Sequence, residues 1–130
     1  MGTQYIDWDT NWSTTSIAAS SVTNTSTATT AAISLDQKIA CQISVACAYG
    51  GTATEGLKVY LLADSNSTDE AVADVPARAY QLPYSTSTTY RRVYSIPATD
   101  YSSFKVHVTN NSGATVTVTV TYKLAVVTTV

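Results

Sequence analysis

The sequence predicts an all-β protein, an antiparallel two-sheet sandwich of jelly-roll-like type with seven to eight strands. Three observations predict it. Apolar residues alternate with polar ones at period 2, and period 3.6 is hard to find. Thr (23) and Ser (15) dominate the polar positions while charged residues make up only 12% of 130 residues, which suits sheets whose wet faces carry hydroxyls. Turn residues punctuate the alternating runs, and no helical crossover separates them, so the strands should pair mostly antiparallel.

The clearest strand is Lys38–Tyr49. Ile39, Cys41, Ile43, Val45, Cys47 and Tyr49 share one face, Lys38, Gln42 and Ser44 the other, and Gly50-Gly51 ends it. Leu57–Ala63 follows, with Leu57, Val59 and Leu61 inward and Lys58 and Tyr60 outward. Asp64–Asp74 reads as a loop of Asp, Ser, Asn and Thr. Ala77–Leu82, closed by Pro83, and Thr89–Ile96, closed by Pro97, are the next strands. In Phe104–Thr109, Phe104, Val106 and Val108 face the core. Asn110-Asn-Ser-Gly113 should then form a hairpin turn, since Asn and Gly tolerate positive φ. The return strand alternates Val116, Val118, Val120, Tyr122 and Leu124 with threonines. Ser16–Val22 and Ala31–Leu35 supply one or two weaker strands.

At this length the chain is one domain, residues 16–130, preceded by an aromatic segment over 1–15. A net charge of −2 lacks the basic footprint of nucleic-acid binding or of attraction to an anionic membrane. The start carries neither the basic nor the apolar region of a signal peptide, so synthesis in a cytoplasm with reduced thiols is expected. Cys41 and Cys47, six apart in one strand, are too far apart to bond to each other and fall in phase with the core. Four glycosylation sequons are attributed to chance in so Ser- and Thr-rich a chain.

Catalysis is not expected. The single histidine, His107, falls on a wet face beside Lys105 and Thr109, leaving no base for a nucleophile and no ligand set for a transition metal. Asp64, Asp69, Glu70 and Asp74 share a loop, but Asp69 stands where a calcium-binding helix–loop–helix needs Gly. No cofactor is implied. Two groups stand out as contact surfaces. Tyr5, Ile6, Trp8 and Trp12 hold both tryptophans ahead of any strong strand. They either leave the sandwich to anchor a partner or plug one end of it. Tyr80, Tyr84, Tyr90 and Tyr94 interleave with Arg91 and Arg92; of these, Tyr90, Arg92 and Tyr94 are taken as interface residues. A threonine row over Thr115–Thr121 would need matching rows on the next strand, expected to carry Lys105 and His107 instead, so ice or crystal binding is set aside.

The order Gly56-Leu-Lys-Val-Tyr-Leu, Tyr80-Gln-Leu-Pro, Thr89-Tyr-Arg-Arg-Val-Tyr-Ser-Ile, Phe104-Lys-Val-His-Val-Thr-Asn-Asn-Ser-Gly and Val116-Thr-Val-Thr-Val-Thr-Tyr resembles small β-sandwich structural proteins of tailed-bacteriophage virions, notably jelly-roll decoration (cement) proteins of the capsid. The resemblance spans about Ala31 to Leu124. It implies a virion component made in the host cytoplasm, present in many copies or as a homo-oligomer, whose partners are the major capsid protein or other virion proteins. Neck or tail placement, and a carbohydrate-binding sandwich for host adhesion, are the alternatives.

Overall fold

The structure, a computed structural model, describes residues 2–65, 68–69 and 80–129. Among them are twelve strands and no helix, hence none long and apolar enough to cross a membrane. In chain order the strands are β1 (Gln4–Trp8), β2 (Ser13–Thr14), β3 (Ser20–Val22), β4 (Thr27–Thr29), β5 (Ile33–Ser34), β6 (Ala40–Ala48), β7 (Lys58–Ser65), β8 (Thr68–Asp69), β9 (Tyr80–Gln81), β10 (Thr89–Pro97), β11 (Ser103–Thr109) and β12 (Val116–Thr129).

They form two antiparallel sheets, as the alternation predicts. In the first, β12 is central: β6 and then β10 lie to one side, and β3, β2 and β1 follow one another along the other. In the second, β11 pairs β4 and β5 on one side and β7 on the other, and β7 carries β9 and β8. The inward rows meet between the sheets. Cys41, Ile43, Val45 and Cys47 of β6 and Val116, Val118 and Val120 of β12 oppose Val59 of β7 and Phe104, Val106 and Val108 of β11, all fully buried. Burying a Val or Ile side chain contributes about 1.5–3 kcal/mol, so these rows dominate the stability.

The Asn110–Gly113 turn is where expectation and structure part. Gly113 has φ +90°, so the chain does reverse there. β11 and β12 nevertheless belong to different sheets and do not pair. The segment is a crossover, not a hairpin, and Asn110 is the reason. Its side chain is fully buried; Nδ2 donates to the carbonyls of Val22 (2.7 Å) and Ala114 (2.8 Å), and Oδ1 accepts from Ser112 N (2.9 Å). Its backbone donates to Ser26 O and accepts from Thr25 N. One side chain thus satisfies the backbone of the passage between the sheets, where an unpaired group would be costly. The neighbours of the threonine row are consequently Ala48, Ala46 and Ser44 of β6 on one side and Ser21 of β3 and Thr14 of β2 on the other, not Lys105 and His107.

Two further boundaries shift. Asp64 and Ser65 extend β7 and pair with Asp69 and Thr68, where a loop was expected. Of the expected strand Ala77–Leu82, Tyr80–Gln81 form β9; residues 70–79 lie outside the described residues. β9 is seated through Gly56, since a Cβ there would stand 1.6 Å from Leu82 O. That close approach lets Leu82 N donate to Leu57 O at 2.9 Å, and only glycine permits it.

Candidate interaction surfaces

The aromatic N-terminal segment neither leaves the sandwich nor plugs its end. β1 pairs residue for residue with the end of β12, from Gln4 opposite Thr129 to Trp8 opposite Ala125. Asp9 closes the strand: its N–H donates to Leu124 O (2.9 Å) and its Oδ2 accepts from Leu124 N (3.0 Å). The pairing has a geometric consequence. β6 accompanies β12 only from Thr117 to Ala125, so among the described residues β1 and residues 126–129 of β12 run on as a two-stranded ribbon beyond the rest of the sheet. Cross-strand partners share a face. Ile6 and Val127 therefore lie together on the outer face, 60% and 50% exposed, next to Trp8 at 37%. Tyr5, also exposed, points to the opposite face with Val126 and Thr128.

Trp12 behaves differently from Trp8. Its ring lies on the outer face of the first sheet between two cations, with Lys123 Nζ 5.1 Å and Arg91 Cζ 5.7 Å from the ring centre. Arg91 Nε also donates to Ser44 Oγ at 2.7 Å. Ser44 belongs to the outward row of β6 yet is buried, covered by this arrangement. Cation–ring contacts of this kind contribute about 0.5–1 kcal/mol where exposed. Trp12 is thus committed to its own domain, whereas Trp8 stays exposed at the end of β1.

The tyrosine group divides too. Tyr90 and Tyr94 lie on the inward side of β10, half-buried against the core. Tyr90 meets Tyr49 edge-on at 6.3 Å and is a packing residue. Tyr94 stacks on Tyr80 of the other sheet, with ring centres 4.7 Å apart and a tilt of 35°. Arg92, exposed on the same row, joins Tyr80, Gln81 and Tyr94 around a hollow of about 360 Å³. A second hollow of about 340 Å³ adjoins it across Tyr80. Spacing in the sequence could not show either, because β9 and β10 belong to different sheets.

The two cysteines and the histidine are accounted for by packing. Cys41 and Cys47 are buried and unbonded, and burial pushes both thiols up to about 12. Burial likewise holds the His107 imidazole below its ordinary value. Its Nδ1 lies 2.7 Å from Thr29 Oγ1 and its ring packs edge-on to Tyr60. Among the described residues no group of three His, Cys, Asp or Glu side chains could hold a metal ion.

No protein-family model matches the chain, and no curated protein matches it in sequence. Among solved structures it is similar to the infectious bursal disease virus Gx strain structure, at 11% identity and a TM-score of 0.49, covering 95% of this chain and 32% of that one. It is also similar to a low-affinity xylan-binding module from the gut symbiont Roseburia intestinalis, at 10% identity and a TM-score of 0.38, with 95% of each chain covered. The chain spans about a third of the viral chain, and likeness at this level assigns no activity to it.

Proposed function

We propose that this chain is a phage virion structural protein, a capsid decoration protein that docks on shell subunits through the β1–β12 ribbon. The observation that carries the reading is the ribbon itself. Two strands alone are marginally stable in water, yet this pair runs past its sheet with Ile6, Trp8 and Val127 exposed on one face. Apolar and aromatic anchors presented in this way suit insertion into a partner's pocket. The sequence order from Gly56 to Tyr122, similar to that of decoration proteins, supports the placement.

The ribbon is small beside a stable interface, which buries about 800 Å² per partner. Docking by one copy should be weak, and a many-copy array on a symmetric shell compensates by valency. The partner in this reading is the major capsid protein, and the chain is made in the host cytoplasm.

Deletion of residues 1–8 tests it. The truncated chain should fold, because every residue of β1 is exposed, and should no longer co-sediment with purified particles. Quantitative mass spectrometry of those particles should find copies matching the number of shell subunits. A count matching a single neck or tail ring would reject decoration, and full binding by the truncated chain would reject the ribbon.

A further inference from the structure

We propose that the flank of the sandwich around Tyr80 is a binding groove for a neutral pyranoside, with Tyr80 as its platform. The flank lies where β10, the edge of the first sheet among the described residues, meets β7 and β9 of the second. There the Tyr80–Tyr94 stack bridges the two sheets. Tyr80 remains 43% exposed although Tyr94 packs against it, and it lines both hollows of the flank. A tyrosine fixed by a stacking neighbour offers a ring whose ordering cost is already met, as adaptable recognition surfaces require.

The walls match the chemistry of a sugar. A pyranose has a face of C–H groups and a rim of hydroxyls that both donate and accept. In the first hollow the buried Leu61 and Ile96 supply an apolar floor, and the exposed Asp100 supplies the polar rim. In the second, Arg92 and Gln81 add donors beside the rings. A carboxylate accepts from two hydroxyls and a guanidinium donates to two, so Asp100 and Arg92 suit vicinal diols from opposite ends. Each hollow is near the lower limit of small-molecule clefts, about 300 Å³, which fits one ring apiece and hence a short oligosaccharide across Tyr80. Asp100 disfavours phosphates and the chain is net acidic, which argues against nucleic acid. This groove is separate from the ribbon, so neither reading stands or falls with the other.

The test is a glycan array of immobilised neutral and acidic oligosaccharides probed with the full chain, followed by calorimetric titration of the best neutral binder. Binding to neutral pyranosides is expected. Tyr80→Ala should weaken it at least about tenfold, Tyr80→Phe should retain most of it, Asp100→Asn should weaken it severalfold, and Thr117→Ala on the outer face of the first sheet should leave it unchanged. If Tyr80→Ala does not fold by circular dichroism, Asp100→Asn decides. No signal on the array, signal confined to acidic glycans, or wild-type affinity in the variant that decides would overturn the proposal.

Discussion

Asn110 shows how much one polar side chain can organise. Replacing it with Ala removes two donors and one acceptor and leaves the carbonyls of Val22 and Ala114 without that partner. The expected loss is about 2–4 kcal/mol by chemical denaturation. Asn110→Asp should lose more, since it sets a carboxylate against two carbonyl oxygens. A second residue-scale expectation concerns alkali. Cys41 and Cys47 have folded pKa values near 12 against an ordinary 9.0. The stability they contribute is complete below pH 9 and is lost as pH rises towards 12, because the unfolded chain releases its thiol protons first. Denaturation midpoints should therefore fall with pH above 9, and Cys41→Ala/Cys47→Ala should flatten the fall. The thiols were legible, because period 2 fixes their face. The burial of Asn110 was not, because in Asn-Asn-Ser-Gly it looks like any solvated turn residue.

Among the elements, the long strands were legible and the short ones were not. β6, β10, β11 and β12 have enough alternating positions to fix a face, whereas two- and three-residue strands such as β2 and β4 exist only through the neighbours they pair with. Which strands pair was hidden for the same reason: Asn-Ser-Gly announces a reversal but not the sheet in which the chain resumes. β1 was hidden because Tyr-Ile-Asp-Trp, with four exposed side chains, presents no buried row to alternate. The two tryptophans at its end now separate by role. Trp12→Ala should lower stability by about 1–2 kcal/mol, through lost contact with Lys123 and Arg91 and a newly wetted Ser44. Trp8→Ala should leave the melting temperature nearly unchanged and act on particle binding. Equal melting temperatures for the two variants would contradict the placement of Trp12.

At the scale of the molecule, the sandwich class followed from composition and period, and the two flanks that carry the proposals followed only from topology. One sheet overruns its neighbour strand to make the ribbon, and the edges of the two sheets, joined by the Tyr80–Tyr94 contact, make the groove. The same topology governs how the chain reaches this state. Of the five long strands, none pairs with the one next to it in sequence: β7 waits for β11, and β6 waits for β10 and β12. Little of either sheet's centre can therefore assemble from a local hairpin, and the first stable nucleus must close a long loop before any core burial rewards it. Refolding after rapid dilution from denaturant should be slow for a chain of this size, in the range of about milliseconds to seconds. A circular permutant that joins the natural ends and opens at the Gly50-Gly51 turn places β1 directly after β12, its antiparallel partner along five residues, turns that pairing into a local hairpin and should fold faster. Stopped-flow fluorescence on the two chains would measure the difference, and equal rates would show that the β1–β12 pairing forms after the barrier.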